Sequence, residues 1–224
     1  MGAMEEEIEP LLAHFKDVNV VEYADNKYYE VNYNGLEIVI AYSKIGKVFA
    51  SLTAATMIEK FGCDVLLFSG VAGGINPSLK IGDLIIADKL CQHDLDITAF
   101  GHPHGYVPGG NVFVETSKEL REAAKRVADK NGLKVLEGTI ATGDQFIHSN
   151  ERKEFIENTF KADALEMEGA SVAVVCNALN VPCFVLRAIS DTADMDAGFD
   201  FDEFLKSSAV ESANYLVKIV DEIK

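Results

Sequence analysis

Two stretches of this chain are apolar on almost every consecutive residue. They are Val65–Ser69 and Val181–Ile189. A strand with one wet face alternates apolar and polar residues. A strand that does not alternate must be covered on both faces. Helical patterns fall between such runs, at Glu5–Phe15, Lys47–Lys60, Ser117–Asn131, Asn150–Asn158, Gly169–Leu179 and Phe201–Ile223. Further strands are expected at Asp83–Leu90 and Lys134–Thr142. Strands and helices in alternation predict an α/β fold of three layers, α/β/α. Asn34-Gly35, between Tyr28–Tyr33 and Leu36–Tyr42, marks a hairpin and makes the central sheet mixed. No linker, repeat or low-complexity tract divides residues 1–224, so a single domain is expected.

Charge narrows the function. The 20 Lys and Arg against 36 Asp and Glu give a net charge of -16. That field repels nucleic acid and anionic membranes. No Lys/Arg cluster offers a site for a polyanion. The four cysteines have no CxxC spacing and lie in apolar surroundings, as buried free thiols do. With no signal peptide and no membrane-length apolar run, a cytoplasmic protein is expected. No cofactor motif is present.

In α/β sheets ligands gather beyond the strand ends, and polar clusters follow these strands. "ISDTAD" puts Ser190 and Asp191 after an apolar strand. Asp191 fits either a turn residue or a partly desolvated general acid. Glu5, Glu6 and Glu7 in "GAMEEEI" fit the positive end of a helix, and Glu7 could instead turn inward as a base. "SGVAGG" lacks the spacing of a phosphate loop, and its glycines suit a tight turn or a close backbone approach to a flat ligand. Phe146 in "TGDQFI" is either core or a platform for a ring. His93, Asp94 and Asp96, and His102 and His104, lack a third partner at metal-ligand spacing, so no metal is expected.

"GAMEEEI", "SKIGKV", "SGVAGG", "HDLDITAFG", "TGDQFI", "EMEGASVAVVC" and "RAISDTAD", in that order, resemble the bacterial 5'-methylthioadenosine/S-adenosylhomocysteine nucleosidases of the purine nucleoside phosphorylase superfamily. The resemblance covers nearly the whole chain. "YSKIGKV", "GVAGG" and "VPCFVLRAISD" are similar to members that also act on 6-amino-6-deoxyfutalosine, in a menaquinone route. It implies a phosphorylase/hydrolase-like fold and hydrolysis of an N-glycosidic bond, with release of adenine and no cofactor. By the same resemblance Asp191, held by Ser190, would protonate the purine N7, and Glu7 would activate water. Glu168 would bind the ribose hydroxyls, with Met167 packed on the sugar. Phe146 would stack on the base and the Ile147 backbone would read its edge. Ala3, Met4, Ile45 and Phe201 would line the 5' pocket and the water site. Arg187 would lie on the ribose and water side, and Glu166 would orient water or Arg187.

A carboxylate suits a diol, because it accepts from both hydroxyls and has nothing of its own to donate. Phosphorolysis would need a cationic pocket, yet the opening loop carries Glu5, Glu6 and Glu7 and no Arg. The chain departs from the resemblance in three places. Val71 stands where many relatives have Ser. His102 stands where relatives often have an aromatic, in a loop with Pro108 that in this family completes a neighbouring subunit's pocket, so a homodimer is implied. The strand that normally precedes "GAMEEE" is lacking, which would leave a central place unfilled and Glu7 without its anchor.

Overall fold

The structure, a computed structural model, describes residues 1–192 and 197–223, and the side chains of residues 192–203 lie outside that description. Nine strands and six helices form among the described residues. They run α1 (Glu5–Leu12), β1 (Asn19–Tyr23), β2 (Asn26–Tyr33), β3 (Leu36–Ala41), α2 (Lys47–Glu59), β4 (Leu66–Gly74) and β5 (Leu84–Gln92). Then follow β6 (Phe113–Glu115), α3 (Lys118–Asn131), β7 (Val135–Thr142), α4 (Asn150–Phe160), β8 (Ala164–Glu166), α5 (Gly169–Ala178), β9 (Cys183–Thr192) and α6 (Ala197–Ile223).

The larger sheet is mixed, in the order β6-β5-β7-β8-β4-β9, and β9 also pairs with β5. Five of its strands therefore close into a ring. The expected central mixed sheet is curled until β5 meets β9, with helices on both faces, and its antiparallel pairs are β4–β8, β5–β6 and β5–β9 rather than the Asn34-Gly35 hairpin. Burial in β9 explains why its sequence does not alternate. Cys183, Val185 and Ile189 join the core beside α2 and α5, with Ala54, Met57, Val172 and Ala173. Phe184, Leu186 and Ala188 join the core beside α1, α3 and α6, with Ile8, Val127, Tyr215 and Ile219. Each Val, Leu, Ile, Phe or Met among them stabilises the fold by about 1.5–3 kcal/mol relative to leaving it exposed.

A separate antiparallel sheet, β1-β2-β3, carries the predicted hairpin. Asn34 and Gly35 both have positive φ, 53° and 86°, as a tight two-residue turn with the sheet's own twist requires. Met1 and Gly2 lie between the two sheets. Gly2 N–H donates to Ala41 O, while Ser69 N–H donates to Met1 O, each at 3.0 Å. The place expected to be unfilled is thus bridged by these two residues. Strands β1, β6 and β8 were not foreseen: β1 is largely exposed, and the other two have three residues each, too short for a pattern.

Candidate active site

Asp191 is placed by an irregularity in β9. This strand runs parallel to β4 from Leu66↔Cys183 to Ala72↔Ile189, then slips, so that Gly73 faces Asp191 and Ser190 is the extra residue. A bulge of this kind re-aims the side chain that follows it. The Asp191 carboxylate turns onto Gly73, where a Cβ would lie 2.9 Å from Oδ2. The buried Ser190 hydroxyl lies 3.0 Å from Asp191 Oδ1, as a hydrogen bond.

Glu7 is lodged in a second gap of the same strand. At Gly70 a Cβ would lie 2.5 Å from Glu7 Oε1. The glycines of "SGVAGG" therefore sit in an extended strand and not in a tight turn; of the two readings, close approach to the backbone is the one that fits, though here by carboxylates of the chain at Gly70 and Gly73. Glu7 occupies the first turn of α1 and turns inward. Its Oε2 accepts from Ala3 N–H (2.6 Å) and Met4 N–H (3.2 Å), and its Oε1 from Val71 N–H (3.0 Å). The expected loss of its anchor is not found, because these three backbone donors hold it. Burial pushes its pKa up, while Arg187 and the backbone donors oppose that rise.

Glu166 and Arg187 form a buried pair, Arg187 Nη2 donating to Glu166 Oε2 at 2.7 Å. The guanidinium also lies over the Phe68 ring, 4.1 Å from its centroid, and donates to Leu186 O at 2.9 Å. Glu166 Oε2 further accepts from Glu168 N–H (3.1 Å) and Gly169 N–H (2.7 Å), the free donors at the start of α5. Its Oε1 accepts from the Thr142 hydroxyl. Glu166 was expected to bind substrate or to orient water or Arg187. The Arg187 contact is the one expected of a residue that orients it, the α5 amides make it a cap as well, and Glu166 also borders the cleft described below.

Glu168 precedes α5, and its Oε1 accepts from Gly46 N–H at 2.8 Å. Among the described residues no donor is recorded at its Oε2. Burial first, then the neighbouring Glu166, pushes its pKa up to about 8, and Glu7 is close enough to add to that rise. The answering gain from Gly46 N–H and Arg187 is smaller.

A narrow cleft of about 40 Å³ is bordered by Gly73, Phe146, Ile147, Met167, Glu166 and Asp191, together with Gln145, Lys153 and Leu165. Glu168 and Arg187 adjoin Glu166, and Glu7 interacts electrostatically with both Arg187 and Glu168. Ala3 and Met4 hold Glu7, and Ile45, exposed, stands beside Gly46. His102 and Pro108 are exposed and do not border this cleft, and the His102 ring stacks on Tyr106 at 4.5 Å. The Phe201 side chain lies outside the described residues. Lys153 was missed: its charged helix reads as solvated, yet the residue is only 5% exposed. Among the described residues no group of three or more His, Cys, Asp or Glu could hold a metal.

A curled mixed sheet with buried carboxylates at the ends of β8 and β9, and a third set into the middle of β4, defines an α/β protein of one known class. The chain belongs to the phosphorylase superfamily, whose family model matches residues 1–221. Its relatives there are nucleosidases. It is 55% identical to the aminodeoxyfutalosine nucleosidase of Campylobacter jejuni, over 100% of this chain and 97% of that one. It is 36% identical to the 5'-methylthioadenosine/S-adenosylhomocysteine nucleosidase of Anoxybacillus flavithermus, over the same shares. The Helicobacter pylori 5'-methylthioadenosine/S-adenosyl homocysteine nucleosidase, solved in complex with a substituted pyrrolidin-3-ol, superimposes with a TM-score of 0.97. The match covers 99% of this chain and 96% of that one, at 52% identity.

Proposed function

We propose that the protein is an N-glycosyl hydrolase of 5'-substituted adenosines, acting on 5'-methylthioadenosine, S-adenosylhomocysteine and 6-amino-6-deoxyfutalosine. The relatives' activities support the substrate class. The observation that carries the chemistry is the pair of buried carboxylates, Glu7 and Asp191, each set into a glycine gap of β4.

The two acids have opposite tasks. Adenine leaves poorly as an anion, so Asp191, steadied by Ser190, gives a proton to N7 as the bond to C1' breaks. Water attacks C1' while Glu7 takes its proton. The products are adenine and the 5-substituted ribose. Burial makes Glu7 a stronger base than a solvated carboxylate, and Oε1, with Val71 N–H as its one donor here, keeps a lone pair for water. General acid or base help is worth about 10²–10⁴-fold each. Glu168 Oε2 receives the ribose hydroxyls, and the carboxylate, once ionised, stabilises the cationic sugar of the transition state. Phe146 stacks on the base, the Ile147 backbone reads its edge, and Met167 packs on the sugar. Ala3, Met4, Ile45 and Phe201 serve the 5' pocket and water site. Water is favoured over phosphate because Glu7 stands where a dianion would need positive charge, and Arg187 beside it is already paired with Glu166.

We also propose a homodimer in which the His102–Pro108 loop completes the neighbour's 5' pocket. An exposed apolar face on α2, formed by Val48, Phe49 and Leu52, adjoins exposed Ile45 and supports this. Four free thiols suit a cytoplasmic, reducing compartment. Among the described residues no helix is long and apolar enough to cross a membrane.

The test is incubation with 5'-methylthioadenosine in phosphate-free buffer, with chromatographic detection of adenine. Adenine release without phosphate is expected. Strict dependence on phosphate, or tight binding with no adenine formed, would overturn the hydrolase reading.

A further inference from the structure

Three loops at the strand ends meet at one lysine. Lys47 Nζ donates to Asp94 Oδ1 at 2.7 Å and to Gln92 Oε1 at 3.2 Å. Asp94 Oδ2 accepts from Asp144 N–H at 2.9 Å. Asp144 Oδ1 in turn accepts from Lys47 N–H at 2.8 Å, at the start of α2. The ring of contacts ties the loop before α2 to those after β5 and β7. The ion pair is largely shielded, its side chains being 17% and 14% exposed. Burial alone would raise the Asp94 pKa, but Lys47 and Asp144 N–H together hold it below the usual range.

Gly46 is where this ring reaches the sugar site. Its φ of 98° is open to glycine and strained for other residues. A Cβ there would lie 3.0 Å from Asp144 Oδ1. In this conformation Gly46 N–H points at Glu168 Oε1, leaving Oε2 for another donor. Asp144 also lies two residues before Phe146, so the same ring sets the start of the base loop.

We propose that Lys47, Asp94 and Asp144 are positioning residues: they hold Gly46 N–H against Glu168, fixing that carboxylate for the ribose diol, and lock the base loop into the same unit. The inference rests on the nucleosidase reading. Without the ring, Gly46 is free to turn its N–H away. Glu168 then loses its one fixed donor, and discrimination between a diol and a single hydroxyl falls.

The experiment compares 5'-methylthioadenosine with its 3'-deoxy analogue in wild type, Asp144→Ala, Asp144→Asn and Lys47→Met, with a thermal melt for each. In wild type kcat/KM favours the ribo substrate. In Asp144→Ala and Lys47→Met that preference is expected to fall on the order of tenfold, the size expected for one lost hydrogen bond to a charged group. The fall comes through KM for the ribo substrate, with the deoxy substrate little changed. Asp144→Asn keeps an oxygen for Lys47 N–H and is expected to retain most of the preference. An unchanged preference in well-folded Asp144→Ala or Lys47→Met overturns the inference, as does an equal loss on both substrates. If Asp144→Ala does not fold, Lys47→Met decides alone. Wild type that releases no adenine overturns the nucleosidase reading itself, a result distinct from all of these.

Discussion

Gly70 and Glu7 are complementary in space: the carboxylate occupies the volume that a side chain at position 70 would fill, with Oε1 2.5 Å from the position of a Cβ. Gly70→Ala therefore cannot coexist with Glu7 as it stands. The carboxylate must move off the Val71, Ala3 and Met4 donors. Turnover is expected to fall at least about 10²-fold, the size of one lost base. The fold should survive, because the added atom is small. Steady-state assay beside a thermal melt checks this, and near-normal turnover in Gly70→Ala would show that the Glu7 position is unimportant.

Removing either charge without changing shape separates chemistry from binding. Asp191→Asn and Glu7→Gln are each expected to lose about 10²–10⁴-fold in kcat while still binding substrate. Calorimetric titration with 5'-methylthioadenosine measures the retained affinity. An Asp191→Asn variant that turns over normally would remove it as the acid.

The Arg187–Glu166 pair is withdrawn from water on both sides. Taking away one member leaves the other buried and uncompensated, which destabilises by about 3–5 kcal/mol. Arg187→Met is expected to lower the melting temperature sharply. The double variant Arg187→Met/Glu166→Gln should recover part of that loss, since no lone charge remains. Absence of any recovery in the melts would count against the pair as the cause.

Glu168 makes stability depend on pH. Its pKa lies near 8 in the folded chain, against an ordinary value of 4.5. Between those values the unfolded chain gives up a proton that the folded one keeps, so this group's contribution falls as pH rises from about 4.5 to 8. Glu168→Gln should remove that fall. The variant is expected to gain in melting temperature relative to wild type at pH 8 compared with pH 5. A difference between the two that is flat across this window would contradict the assignment.

The α2 face gives a test of assembly. Val48 is 76% exposed, unusual for a valine on a helix with buried neighbours. Val48→Glu is expected to convert a dimer to a monomer by light scattering and to reduce turnover with it. Fully active monomeric wild type would dismiss the subunit arrangement.

Much of this was legible in the sequence because two-sided burial leaves a clear mark. The β4 and β9 runs could be found because neither face needs polar residues. Ser117 and Asn34-Gly35 announced a helix start and a turn through local chemistry, and both occur there. The glycines were harder. A gap that admits a carboxylate looks, along the chain, like a turn, since nothing local tells that Glu7 will arrive from sixty residues away. Glu166 was legible only in part. Its tie to Arg187 could be expected, but not the α5 amides and the Thr142 hydroxyl that also meet it. Sheet closure through β5 and β9 left no mark at all, because it depends on curvature summed over several strands.

That closure governs which parts of the protein can adapt. Arg187 pairs in register with Gly70 on one flank and with Ile85 on the other. It stands in the seam, fastened along both edges, and the gap that seats Glu7 belongs to the same hoop. The neighbouring cleft draws Gly73, Leu165 and Asp191 from the strands of the hoop, and Phe146 and Met167 from the segments that follow β7 and β8. The acids are thus held by the closed sheet, while the side chains expected to touch base and sugar stand on the stretches between its elements.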